Sequence, residues 1–178
     1  ETKKNLEDIG FDVIGDNSKE NALLIKEIKN TKIAFLTYTD LLDNKSSKTK
    51  EELESINIYD ENKVKRDIEK VKEDGAKYIC VMMHWGEAIT ETVSDRQKEI
   101  ADFLVNQGAN LIIGAHPSVV QPMEIRQNKD GENVFIAYSI GTYISTLQAE
   151  EARTELVLNI ELRRSGTDGN VYLNKINY

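Results

Sequence analysis

Two short apolar runs constrain this chain most: "AKYICVMM" at 76–83 and "ANLIIGA" at 109–115. Each is apolar on both faces, which fits a strand buried in the middle of a sheet. One amphipathic stretch lies between them. It opens at Ser94, a favourable N-cap, carries Ile100, Ala101 and Leu104 on its inner face through Gln107, and stops at Gly108. Strand, helix and strand make a crossover, which is right-handed and joins parallel strands. Parallel strands joined this way finish at one sheet edge, and in open α/β sheets that edge binds ligands.

The remaining elements are read around that unit. "ETKKNLEDIG" reads as a helix that hands over at Gly10 to a short strand, "FDVIG". "NALLIKEIKN" and "TKIAFLTYT" read as a hairpin turning at Asn30 and Thr31. The polar stretch from Asp40 to about Ser55 reads as an exposed loop. From Asp60 the pattern turns helical, with Val64, Ile68 and Val71 on one stripe and Gly75 as a stop. "VVQPMEIRQ" and "NVFIAYSI" form a hairpin around Asp130-Gly131, and "ELVLNIELRR" and "VYLNKINY" a final one. The expected class is α/β, with mixed parallel and antiparallel sheets flanked by helices. At 178 residues the chain fits a single domain spanning 1–178.

The net charge of −8 argues against nucleic acid as a partner, and Lys and Arg are scattered rather than clustered. The one cysteine, Cys80, reads as a buried core thiol with no internal disulfide. The longest apolar runs fall short of a membrane span. No signal peptide is visible, and the start reads as a cut through a larger protein.

The chain has two histidines, and both fall at the ends of the two apolar strands. His84 closes the strand 76–83 and His116 lies just beyond 109–114. Neighbouring strands about 4.8 Å apart would put them roughly 5–10 Å from each other. Imidazoles at that separation can share one metal or flank a substrate. The alternative is that each is a hydrogen-bonded structural residue at a strand end. Two ligands fall short of a catalytic zinc site, which takes three protein donors. Trp85 reads as a packing anchor or as a pocket wall, and Gln121 as a ligand-orienting or a backbone-capping residue.

The residues around these histidines go further. His84, Trp85 and Gly86, then Gln97, then Gly114, His116 and Pro117, Gln121 and Pro122, and finally Tyr138, Ser139 and Gly141 match a spaced pattern. Together with the opening "ETKKNLEDIGFDVIG", this closely resembles the C-terminal half of the CapA family of poly-γ-glutamate capsule synthesis proteins, up to about residue 148. Three positions depart from the pattern. The family's His-Pro-His is His116-Pro117-Ser118 here, its Glu falls on Ala88 with Glu87 one place early, and its Asn is Thr142. Serine is a poor substitute for a histidine as a first-row metal ligand.

The resemblance implies the C-terminal half of a metallophosphoesterase-like αββα sandwich, truncated at its N-terminus. It implies metal ligation by His84 and His116, catalytic roles for His84 and Glu87, and substrate contacts from Trp85, Ser118, Gln121 and Thr142. The implied cofactor is a divalent metal, Mn, Fe or Zn, held weakly or not at all by this stretch. The implied function is a component of poly-γ-glutamate capsule biosynthesis or export, non-catalytic in this fragment. The alternative is a dinuclear metal-dependent hydrolase, phosphoesterase-like or γ-glutamyl-directed, once the missing half is present. The implied partners are membrane-bound capsule synthase subunits and the polymer, on the extracellular face of the cell membrane, with anchoring through an N-terminal segment. A truncated sheet leaves an open edge, so self-association is also expected.

Overall fold

The computed structural model describes residues 2–17, 23–42, 48–144, 146–147, 149–167 and 169–178. In chain order the elements are α1 (Thr2–Asp8), β1 (Leu23–Ile28), β2 (Thr31–Thr39), α2 (Lys50–Ser55), α3 (Glu61–Glu73) and β3 (Tyr78–His84). They continue with α4 (Asp95–Gln107), β4 (Leu111–Ala115), β5 (Met123–Gln127), β6 (Asn133–Ala137), β7 (Asn159–Arg164) and β8 (Val171–Asn177). Six strands form one sheet in the order β1-β2-β3-β4-β6-β5, and β7 and β8 pair separately. Strands β2, β3, β4 and β6 run parallel, while β1 and β5 are antiparallel edges. The expected α/β class with a mixed sheet is therefore the observed one.

Local chemistry explains most boundaries. Asp60 caps α3 by accepting from the Lys63 N–H, and Val64, Ile68 and Val71 are its buried stripe. Ser94 and Gln97 form a reciprocal capping box on α4, and Gly108, at φ 100°, ends it in the left-handed conformation. The β1–β2 turn places Lys29 and Asn30 at positive φ, the backbone a tight hairpin demands.

The pleat sorts the sheet residues between two cores. Ala34, Leu36 and Tyr38 of β2, Ile79, Val81 and Met83 of β3, and Ile112 of β4 join the inner faces of α3 and α4. The alternate residues Tyr78, Cys80, Leu111 and Phe135 join Val171, with Ile160, Leu162 and Leu173 of the β7–β8 pair packed against them. Strand β3 is thus buried on both faces, and each large apolar side chain so buried contributes about 1.5–3 kcal/mol. Burial pushes the Cys80 thiol up to about 12, so it is an inert core group.

Two expectations fail. The segment "FDVIG" forms no strand, and the residue after it, Asp16, makes an isolated bridge to Ile56. Gly10 and Gly15, both at positive φ, turn the chain at either end and leave too short an extended run to ladder. The stretch read as loop from Asp40 to Ser55 contains α2, started by a Thr49–Glu52 capping box. Residues 43–47 of that stretch lie outside the described residues.

Candidate functional site

Three parallel strands bring their C-terminal ends to one edge. Thr39 of β2 pairs in register with His84 of β3, and His84 with Ala115 of β4, so the three residues form one row. The row is tied by the Asp40 N–H donating to the His84 carbonyl at 2.9 Å and the Trp85 N–H donating to the Ala115 carbonyl at 3.1 Å. His116 follows Ala115 directly. Its ring centroid stands 4.6 Å from that of His84, at an interplanar angle of 65°. Adjacency of β3 and β4 accounts for the closeness, which falls just below the range read from strand spacing. His84 is exposed and His116 half-buried.

The backbone around the pair is strained. His116, Ser118 and Ile89, none of them glycine, have φ of 106°, 61° and 54°. Each such residue costs on the order of 1–3 kcal/mol and persists only where its surroundings enforce it, and such positions cluster at functional sites. Here the enforcement is visible. The Ile89 N–H donates to the Pro117 carbonyl at 2.8 Å, and the Ser118 hydroxyl donates to the His116 carbonyl at 3.1 Å.

Behind the histidines the other motif residues build a frame. Trp85 is fully buried, donates its indole N–H to the Tyr138 carbonyl at 2.8 Å, and stacks on the Tyr138 ring at 5.8 Å. With no exposed surface, Trp85 anchors the sheet. Gly114 is required by space: a β-carbon there would run into the Tyr138 carbonyl and the Trp85 indole. Gln121 is also buried, and its amide is fully engaged. It donates to the Thr90 and Thr92 carbonyls at 3.0 and 3.1 Å and accepts from Gln97 at 2.8 Å. Gln121 therefore stitches the 90–92 loop to α4. Gly86, at φ 84°, packs against the Gln97 side chain and completes this frame.

Of the remaining candidates, Glu87 is exposed, Ser118 is half-buried beside His116, and Thr142 is half-buried directly after Gly141. Among the described residues, no group of three or more His, Cys, Asp or Glu converges on one point. The donor set available to a metal is therefore two imidazoles, which fits part of a site and not the three protein ligands of catalytic zinc. An open groove of about 1130 Å³ lies between α4 and β5, lined by Lys98, Gln121, Glu124, Arg126 and Tyr138 among others, but by neither histidine.

Sequence reading missed Thr39 and Asp40. The Thr39 hydroxyl oxygen lies 3.0 Å from His84 Nδ1, and Asp40 is held by Arg96 at 2.9 Å. Arg96 also lies over the Tyr59 ring, 5.5 Å from its centroid. The signal was present. "TKIAFLTYT", the helix after Asp60, and "AKYICVMM" repeat the strand–helix–strand pattern, and so bring the end of β2 to the same edge.

Comparison with known proteins adds to this geometry. The family described as bacterial capsule synthesis protein PGA_cap matches residues 1–147. Among curated proteins, the capsule biosynthesis protein CapA of Bacillus anthracis is 27% identical over 164 residues, covering 90% of this chain and 38% of that protein. The PGA biosynthesis protein CapA of Bacillus subtilis is 29% identical over 92 residues, covering 52% of this chain and 23% of the relative. The chain thus spans well under half the length of these relatives. Among solved structures, Haemophilus influenzae NAD nucleotidase matches with a TM-score of 0.58 at 16% identity, over 98% of this chain and 32% of that one. A 5'-nucleotidase precursor from Thermus thermophilus matches with a TM-score of 0.58 at 15% identity, over 98% and 34%. At these identities the likeness concerns the fold.

Proposed function

The chain belongs to the bacterial capsule synthesis protein PGA_cap family, and from that premise we propose that it is part of a capsule biosynthesis protein working on poly-γ-glutamate at the cell envelope. In this reading the 178 residues are one domain's C-terminal part, beside membrane-bound synthase subunits. Among the described residues no helix is long and apolar enough to cross a membrane.

The observation that carries the site is the His84–His116 pair, 4.6 Å apart at the ends of adjacent parallel strands. We assign these two imidazoles as metal donors for Mn, Fe or Zn, and place the other donors in the part of such a protein that this chain does not span. A divalent metal bound there would supply Lewis-acid polarisation of a phosphoryl or acyl oxygen. The chain's own contribution is positional. The ladder fixes the two rings, and the Trp85–Gly114–Tyr138 contact fixes the strand ends beneath them. With two donors among the described residues, this stretch by itself does not turn over substrate.

A second reading is a dinuclear metal-dependent hydrolase in the longer protein. The strained backbone at His116, Ser118 and Ile89 favours it, since strain of this kind accompanies reactive sites. There Glu87 would be the acid–base or substrate contact, with Ser118 and Thr142 beside the substrate.

Titration calorimetry with Zn²⁺ and Mn²⁺ tests the assignment. Expected is less than one tightly bound ion per chain, with the residual binding lost in His84→Ala, and no phosphodiester hydrolysis. Stoichiometric tight binding would sink the partial-site reading. Residual binding unchanged by His84→Ala would remove the pair from its role.

A further inference from the structure

We infer that the Thr39 hydroxyl accepts from His84 Nδ1 and so holds a proton on that ring nitrogen. The inference gains its purpose from the proposal that His84 is a metal donor, but its argument is independent of any metal.

A threonine hydroxyl has one hydrogen to donate and two lone pairs to accept with. Among the described residues, four groups lie around Thr39 Oγ1. The Leu41 carbonyl is at 2.6 Å, His84 Nδ1 at 3.0 Å, the Leu41 N–H at 3.3 Å and the His84 carbonyl at 3.4 Å. The single hydrogen goes to the Leu41 carbonyl, whose distance is that of a short O–H···O bond, while the His84 carbonyl lies beyond a good one. The two lone pairs then face two nitrogens. The Leu41 nitrogen is a backbone donor and takes one. The other accepts only if Nδ1 of His84 carries a hydrogen. The opposite tautomer would set a lone pair against a lone pair at 3.0 Å, or break the short bond to Leu41.

The hydroxyl is also held in place. Thr39 and His84 are register partners in adjacent parallel strands, so their side chains leave the same face of the sheet. The Thr39 N–H donates to the Asn57 carbonyl at 3.0 Å, and its carbonyl accepts from the Tyr59 N–H at 2.8 Å. The backbone under the hydroxyl is therefore clamped from the outer side. A hydrogen bond to one ring nitrogen decides which nitrogen of a histidine can bind metal, and such partners usually are carboxylates or carbonyls. Here a hydroxyl, oriented by its bond to Leu41, takes that part. Thr39 is a positioning residue.

Long-range ¹H–¹⁵N NMR on the metal-free chain at about pH 8, where a free imidazole is neutral, reads the tautomer directly. His116→Asn assigns the signals. Expected is a proton on Nδ1 of His84 in the native chain and in Thr39→Ser, with Thr39→Val shifting the ring toward the Nε2–H form that histidine prefers in water. Zn²⁺ affinity should fall about tenfold or more in Thr39→Val and recover in Thr39→Ser. A native ring protonated on Nε2 would overturn the inference, as would a tautomer unchanged in Thr39→Val. The Nδ1–H form in a native chain that binds no Zn²⁺ would support the hold of Thr39 and discard the metal role of His84.

Discussion

Gly114 occupies a place in β4 where three chain segments close on each other without room for a methyl group. A β-carbon would penetrate the Tyr138 carbonyl and the Trp85 indole, which are bonded to each other at 2.8 Å. Gly114→Ala is therefore expected to cost about 3 kcal/mol and to shift His116 away from His84. Chemical denaturation checks the first effect, and a loss within about 1 kcal/mol would show the frame to be softer than its geometry. The histidines, the tryptophan and both glycines of this site were all legible as residues. What was not legible was their division of labour. In the sequence, Trp85 admits a packing role as well as a pocket wall, and Gln121 a capping role as well as a ligand contact. In the fold each spends its polar atoms on neighbouring backbone or on Gln97 and is buried. A motif records which residues are needed together, and does not separate those that touch a ligand from those that hold the ones that do.

At the scale of elements, Arg126 is the joint of the β5 edge. Its guanidinium donates to Glu124 on its own strand, to the Tyr138 hydroxyl at 2.8 Å just past β6, and pairs with Asp102 of α4. Burial raises the Glu124 carboxyl, but the hydrogen bonds from Tyr138 and Arg126 outweigh it and hold the group below its ordinary 4.5. A depressed folded pKa gives stability that is present above the unfolded value and is lost as pH falls through the folded one. The native chain should therefore lose stability as pH drops below about 4.5, and Glu124→Gln should flatten that part of the profile. Glu124 is partly exposed, so the effect should shrink at high salt. Thermal melts across the acid range measure it, and superimposable profiles would count against the joint. The long periodic elements were legible: α4 begins after Ser94 and ends before Gly108 as read. The failures were short ones, "FDVIG" and α2, where tertiary packing and a capping box outweighed the pattern.

The whole molecule carries a net charge of −8. Poly-γ-glutamate, the polymer of the proposed function, is a polyanion, and a surface of this net charge opposes contact with it. Repulsion between like charges is strongest when unscreened. Binding of the isolated chain to the polymer should therefore be undetectable at low ionic strength and should not weaken as salt is added. Co-sedimentation with polymer at two salt concentrations decides this. Binding that is tight at low salt and lost at high salt would show a basic groove that the distribution of Lys and Arg does not suggest. The amino-acid sequence alone determined the class of fold, the parallel pair β3 and β4, and the meeting of His84 with His116. Periodicity and the handedness of a crossover are local rules that need no knowledge of distant contacts. Only the tertiary structure decided that the Thr39 hydroxyl meets His84 Nδ1, that Trp85 faces inward, and that His116 sits on strained backbone. Those three depend on which side chains meet across strands far apart in the chain, and on a backbone conformation that packing imposes against local preference.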